Sequence, residues 1–147
     1  MPLVVNLQRK VDIKGLDLRS YAESLVASVK EAEGGDFSVA FVSDRRMKEL
    51  NQLFRGKNAT TDVLSFPAEP DEFEKLATSD FAETPLGDIV ISVEQAARQA
   101  GENGLSVEHE IKQLMLHGVL HLCGFDHETD TGEMNKLELE LRDKLGL

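Results

Sequence analysis

The sequence predicts one α+β domain spanning residues 1–147, in which a mixed sheet of about four strands packs against about five helices. The length suits a single hydrophobic core. A composition of 41% hydrophobic and 29% charged residues is ordinary for a globular chain. The segments follow in the order strand, helix, strand, helix, strand, strand and then helices, which is typical of a layered α+β architecture.

Two strands and one helix are predicted in the first part of the chain. Leu3 to Leu7 and Phe37 to Val42 are apolar runs with the residue types of strands. Between them, from about Asp17 to Glu33, apolar residues recur at intervals of three and four, which indicates an amphipathic helix. Gly34 and Gly35 then supply a stop signal.

A second helix is predicted from the capping residues Ser43 and Asp44 to about Phe54. Its inward-facing residues are expected to be Met47, Leu50 and Phe54. The polar segment that follows, Arg55 to Asp62, reads RGKNATTD and is predicted to be a loop.

Two further strands are predicted on either side of a long acidic connection. Val63 to Phe66 and Leu86 to Ser92 are the strand-like runs. Between them, Pro67 to Pro85 carries six carboxylates and one lysine. A connection of this length is usually functional, but the sequence assigns it no role.

The last part of the chain is predicted to be helical. Ser92 with Gln95 forms a capping-box pattern for a helix that Gly101 and Gly104 break. Ser106 can cap the next helix. A weaker capping pattern, Asp130 with Glu133, precedes a final amphipathic helix. The apolar stripe of that helix is Leu137, Leu141 and Leu145.

The distribution of charge limits the classes of binding partner. A net charge of −11 argues against sequence-independent electrostatic binding of nucleic acid. Residues 44–57 are a local exception, with five basic residues against two acidic ones, so a polyanion is expected to approach there. The absence of tryptophan and an aromatic content of 5% argue against an extensive base-stacking platform. The basic residues of this segment are Arg45, Arg46, Lys48, Arg55 and Lys57.

The cellular compartment is expected to be the cytoplasm. No apolar run approaches the length of a membrane span, and the first residues lack the features of a secretory leader. The single cysteine, Cys123, cannot form an internal disulfide, which agrees with a reducing compartment.

Three of the four histidines fall within eleven residues, in the segment HGVLHLCGFDH. His117 and His121 are four residues apart, so on a helix their imidazoles project from the same face. Gly124 is placed where a helix can end in a left-handed residue, which would bring His127 back toward the same point. Three imidazoles with an open position are typical of catalytic zinc sites. The sequence therefore predicts a metal site.

The spacing of these histidines is also that of the metzincin proteases, which carry a glutamate directly after the first histidine as general base. Here that position is Gly118, which weakens the peptidase interpretation. Among nearby residues, His109 lies too far along the helix to be a good ligand, and Cys123 faces away from the histidines and is expected to be packed. Asp126 is expected either to orient a ligating imidazole or to stabilise the turn.

Three segments together resemble the YbeY family of zinc-dependent endoribonucleases, which act in ribosomal RNA maturation. They are HGVLHLCGFDH, FRGKNATTDVLSFP at residues 54–67 and LGDIVIS at residues 86–92. The resemblance implies that His117, His121 and His127 bind one Zn²⁺ and that Arg55 is catalytic. Asp62 and Asp88 lie in the matched segments, and turn capping is the preferred interpretation for both.

The resemblance also implies a function. The chain is expected to be a metal-dependent endoribonuclease that cleaves single-stranded ribosomal RNA, at the 3′ end of 16S rRNA and in ribosome quality control. Ribosomal or ribosome-assembly proteins are the expected partners, and no membrane is involved. Two alternatives stay open at this point. One is a zincin-like metal-dependent peptidase, and the other is a non-catalytic ribosome assembly factor with structural zinc.

Overall fold

The computed structural model describes residues 2–68, 84–125 and 132–147. These ranges contain four strands and five α-helices, so the predicted α+β fold is confirmed. The strands are β1 (Leu3–Asn6), β2 (Gly35–Val42), β3 (Val63–Pro67) and β4 (Thr84–Ser92). The helices are α1 (Leu18–Ser28), α2 (Asp44–Arg55), α3 (Val93–Asn103), α4 (Val107–Leu122) and α5 (Glu133–Leu145).

The sheet has the strand order β1-β2-β4-β3. β2 runs parallel to both β1 and β4, whereas β3 is antiparallel to β4, so the sheet is mixed as predicted. β3 forms one edge of the described sheet, with Val63 opposite Ile91 and Phe66 opposite Asp88.

Different helices cover the two faces of the sheet. Successive side chains of a strand point to opposite faces, and in β4 this separates Ile89 and Ile91 from Val90. Ile89 and Ile91 belong to the main core, which includes the buried faces of α1 and α4. Val90 instead packs with a smaller cluster that contains Met47 of α2. Consequently α2 and α4 lie on opposite faces of the sheet.

The serine caps predicted from sequence are confirmed at three helices. Each hydroxyl accepts a hydrogen bond from the backbone N–H three residues later, which satisfies a donor that has no partner within the helix. These caps are Ser43 of α2, Ser92 of α3 and Ser106 of α4.

Several predicted helix ends are wrong. The first helix ends at Ser28 rather than Glu33, because the buried Val29 adopts an extended conformation with φ −92° and ψ 110°. Gly101 does not break α3, since packing of the helix against the core offsets the roughly 1 kcal/mol that an internal glycine costs. The last helix begins after Gly132 rather than near Asp130.

The acidic connection is shorter than predicted at both of its ends. Pro67 lies in β3, where an edge strand tolerates a residue without an N–H. Pro85 lies in β4, next to the register shift between Asp36 and Phe37 of β2. The central part of the connection, residues 69–83, lies outside the described ranges. Among the helices that are described, none has the length and apolar character needed to cross a membrane.

Candidate functional site

His117 and His121 lie on α4 with their imidazole rings in edge-to-face contact. The two Nε2 atoms are 3.0 Å apart, and the rings meet at 72° with centroids 4.6 Å apart. This proximity follows from their four-residue spacing, which places both side chains on one face of the helix. Two nitrogen atoms therefore converge on one point at the surface of α4.

A buried carboxylate from another helix contacts the first of these histidines. Glu138 of α5 is 6% exposed, and its Oε1 lies 3.4 Å from Nδ1 of His117. The same oxygen lies 3.4 Å from a guanidinium nitrogen of Arg142. When His117 donates its Nδ1–H to Glu138, the lone pair of a neutral imidazole is left on Nε2. Glu138 thus sets the orientation of the ring and directs Nε2 toward His121.

The charge of Glu138 is maintained by these two neighbours. Burial alone would raise the pKa of this carboxyl, but the hydrogen bond and charge of His117, together with the charge of Arg142, outweigh it and lower the pKa. Glu138 is therefore an ionised acceptor at neutral pH.

A cavity of about 170 Å³ opens beside His117, between α4, α5 and the start of β3. Its polar lining includes Asp62, Glu110 and Gln113 as well as His117, Glu138 and Arg142. Burial raises the pKa of Glu110, and the nearby charge of Asp62 raises it further. The cavity therefore places His117 in the same lining as a carboxyl group that holds its proton more tightly than usual.

The turn after α4 begins as the sequence suggests. The N–H of Gly124 donates to the carbonyl of His121 at 3.0 Å, and Gly124 has a φ of 97°, a region that favours glycine. Cys123 is the C-cap residue of α4 and packs partly against the main core. Burial raises the pKa of its thiol to about 11, with a contribution from Glu31, so the thiolate that a metal requires is disfavoured.

The predicted third ligand, His127, and Asp126 lie outside the described residues. Within residues 2–68, 84–125 and 132–147, no three side chains of His, Cys, Asp or Glu form a metal-ligand group. The described part of the site therefore supplies two imidazoles, and the third is a prediction from the sequence.

The position after the first histidine has no room for a side chain. A Cβ atom added to Gly118 would lie 2.9 Å from both Cδ1 and Cγ2 of Ile89, which is fully buried in β4. Gly118 therefore lets α4 approach the sheet closely. A glutamate here would place a charge in the main core, so this face of α4 cannot carry the general base of a metzincin protease.

This close approach leads to opposite predictions for two helical glycines. Gly118→Ala should lower stability, because overpacking of about 1–3 kcal/mol exceeds the gain of about 0.5–1 kcal/mol from replacing a helical glycine. Gly101→Ala in α3 should raise stability, since nothing lies within 4 Å of the added atom. Urea denaturation of both variants measures the two effects. An increase in stability for Gly118→Ala would contradict the packing described here.

Arg55 is the last residue of α2 rather than the first residue of a loop, and its side chain is exposed. Gly56 ends the helix with a left-handed φ of 67°. The structure does not place Arg55 among the described residues that line the cavity beside His117. It lies on the helix that covers the opposite face of the sheet.

The segment from Arg55 to Asp62 nevertheless connects Arg55 with the cavity beside His117. Asn51 of α2 is buried and donates from Nδ2 to the carbonyl of Ala59 at 2.8 Å. Thr60 donates to Asp44 at 3.2 Å, which fixes the same segment to the start of α2. The segment therefore runs in a defined path from Arg55 to the cavity beside His117, which Asp62 lines.

The two aspartates of the matched segments differ in role. Asp62 accepts from the N–H of Val63 at 2.8 Å, as expected for a residue that stabilises a turn. The same interpretation is wrong for Asp88, which lies within β4 and accepts a hydrogen bond from Ser38 of the neighbouring strand. The strand extends beyond Asp88 because Thr84 and Pro85 also pair with β2.

The family model described as Endoribonuclease YbeY matches residues 3–146, a range that includes all three segments quoted above. The chain belongs to the YbeY family. Membership extends over the sheet, the five helices and the histidine segment, so the predicted family is confirmed.

Relatives in the YbeY family are similar over nearly their full length. The Endoribonuclease YbeY of Caldicellulosiruptor bescii is 43% identical over 152 residues, which cover 98% of this chain and 96% of the relative. That of Caldanaerobacter subterraneus subsp. tengcongensis is 40% identical, covering 99% and 97%. The solution structure of TM1509 from Thermotoga maritima has a TM-score of 0.65 and 29% identity, covering 99% of this chain and 89% of that one.

Three residues of the site were not predicted from the sequence, although the position of each in its helix could have indicated it. They are Glu110, Glu138 and Arg142. Glu138 follows Met134 by four residues and precedes Leu141 by three, so it occupies a core-facing position of α5. Glu110 likewise lies on the buried face of α4. A carboxylate on an apolar stripe indicates a paired or functional group, and Arg142 is the cation one turn from Glu138.

Proposed function

We propose that this protein is a zinc-dependent endoribonuclease that cleaves single-stranded ribosomal RNA in the cytoplasm. The proposed role is ribosomal RNA maturation, including the 3′ end of 16S rRNA, and ribosome quality control. Ribosomal or ribosome-assembly proteins are the proposed partners that present the RNA. The observation that carries the proposal is the pair of Nε2 atoms 3.0 Å apart, oriented by a buried carboxylate, in a chain of the YbeY family.

The donor atoms fit one zinc ion. Imidazole nitrogens bind zinc at about 2.0–2.1 Å in tetrahedral sites, which puts two ligating nitrogens about 3.3 Å apart. The observed separation of 3.0 Å needs only a small adjustment. Glu138 supplies the carboxylate that commonly accepts the other N–H of a ligating histidine. We assign His117, His121 and His127 as the ligands of one Zn²⁺ per chain.

We assign different parts of the cleavage chemistry to the metal and to the side chains of the protein. Zinc bound by these histidines supplies Lewis-acid polarisation of the scissile phosphate. Arg55 is assigned to bind the non-bridging phosphate oxygens, on which negative charge builds up, because its guanidinium offers a planar set of donors.

The proton acceptor is assigned to the cavity beside His117. A general base works best when its pKa approaches the operating pH. Three carboxyl groups of the described residues line this cavity, those of Asp62, Glu110 and Glu138, and the pKa of Glu110 is raised by burial and by the charge of Asp62. Because Glu110 lines the same cavity as His117, we assign it to take up the proton of the attacking hydroxyl, whether that hydroxyl belongs to the RNA ribose or to water.

The role of Arg55 can be tested by substitution. Arg55→Ala should retain the fold and the zinc but cleave single-stranded RNA about 10²–10³-fold more slowly, since it removes a donor to the charge of the transition state. Arg45→Ala is the matched control, because Arg45 is exposed on the same helix and pairs with Glu49. Single-turnover cleavage of a defined RNA measures both. Unchanged cleavage by Arg55→Ala would remove Arg55 from the mechanism.

A further inference from the structure

The end of α2 exposes an aromatic ring that the proposed chemistry does not use. Phe54 was predicted to face inward, because it lies on the same side of α2 as the buried Met47 seven residues earlier. That prediction is wrong: Phe54 is 59% exposed. β3 is an edge strand of the described sheet.

The ring of Phe54 packs against the ring of Phe66. Phe54 and Phe66 meet edge to face, with centroids 5.1 Å apart and an interplanar angle of 68°. Phe66 is itself half-buried and packs against the cluster that contains Met47 and Leu64. Phe54 therefore presents an aromatic surface to solvent, and its contact with Phe66 favours one orientation of the ring.

Two exposed cations follow the exposed ring in the sequence. Arg55 is the next residue, and Lys57 comes two residues after it. The arginines at the other end of α2, Arg45 and Arg46, already pair with Glu49 at 4.0 and 3.0 Å. In a chain of net charge −11, a flat ring beside two exposed cations is complementary to a polyanion that carries flat groups.

We propose that Phe54 stacks against a base of single-stranded RNA while Arg55 and Lys57 contact the adjoining backbone. The proposal rests on the proposed function and adds a specificity element to it. Val63, at the start of β3, lines the cavity beside His117. Phe66 lies three residues further along the strand, about 10 Å away, on the other face of the sheet. RNA that crosses the β3 edge of the described sheet can reach both sites.

The absence of tryptophan from the chain provides a direct test. Phe54→Trp introduces a single indole at the proposed stacking position, and Leu53→Trp introduces one at the neighbouring residue, which is 74% exposed. The probe is a single-stranded 2′-O-methyl oligoribonucleotide, which lacks the ribose nucleophile. Its counterpart is a chain of abasic ribose phosphates of equal length and charge.

The expected result is saturable quenching of the Phe54→Trp emission by the base-containing oligonucleotide. Quenching should be much weaker with the abasic chain and with Leu53→Trp. Affinity for the same oligonucleotide should fall about 5- to 150-fold in Phe54→Ala and be restored in Phe54→Trp. Equal responses of the two tryptophan variants, no response at position 54, or quenching that does not depend on bases would overturn the proposal. Quenching of the Phe54→Trp emission by a ribosomal protein but not by the oligonucleotide would also overturn it.

Failure of the proposed stacking contact can be distinguished from failure of the proposed nuclease function. Cleavage of RNA by the wild-type protein without quenching at position 54 overturns the stacking contact and leaves the nuclease intact. Base-dependent quenching without cleavage by the wild-type protein supports the stacking contact and contradicts the nuclease.

Discussion

Wild-type protein is expected to contain about one zinc ion per chain, and His117→Ala and His121→Ala are expected to lose it. Each substitution removes one of the two nitrogens that converge on the surface of α4, 3.0 Å apart. Two remaining protein ligands hold zinc far more weakly than three. Metal content by mass spectrometry of the purified proteins measures the effect.

The matched control for this loss is His109→Ala. His109 is in the first turn of the same helix, where its backbone N–H donates to the capping Ser106 at 3.0 Å. It lies eight residues before His117, about 12 Å along the helix axis. Its substitution should leave the zinc content unchanged. Full zinc occupancy in both His117→Ala and His121→Ala would contradict the ligand assignment.

Glu138→Gln is expected to weaken zinc binding by about 10- to 100-fold while the chain still folds. The amide has the shape of the carboxylate but not its charge, so it holds the Nδ1–H of His117 less firmly. Chelator competition measures the affinity, and ¹⁵N chemical shifts of the metal-free protein report which nitrogen of His117 carries the proton. Glu140→Gln, on the exposed side of α5, is the control.

Glu138→Gln should also change how the free energy of unfolding depends on pH. Because folding lowers the pKa of Glu138, its ionised form stabilises the folded protein above the ordinary value of 4.5. That contribution is lost as the pH falls through the lowered pKa. The wild type should therefore exceed Glu138→Gln in free energy of unfolding at neutral pH, and the difference should shrink in acid. A difference that grows in acid, or an unchanged zinc affinity, would exclude the orienting role of Glu138.

Local signals in the sequence predicted much of the secondary structure. Ser43, Ser92 and Ser106 mark the starts of three helices because a serine cap depends only on the next three residues. The four-residue spacing of His117 and His121 likewise predicts one shared helix face. Such features need no knowledge of the rest of the chain.

Long-range contacts could not be predicted in the same way. The contact of Glu138 with His117 depends on how α5 packs against α4, and no local pattern specifies that packing. Phe54 packs against Phe66 of the edge strand β3 and stays exposed, and this contact depends on how α2 lies on the sheet rather than on the periodicity of α2. The place of Gly118 against Ile89 is a tertiary contact of the same kind.

The most direct test of the central claim is cleavage of defined RNAs by protein purified free of other nucleases, with His117→Ala purified alongside by the same procedure. The wild type should cut a single-stranded ribosomal RNA fragment at discrete positions and spare the corresponding duplex. The His117→Ala protein should be inactive while keeping a native circular dichroism spectrum. Equal cleavage by the two preparations, or none by zinc-loaded wild type, would contradict the assignment of a zinc-dependent endoribonuclease.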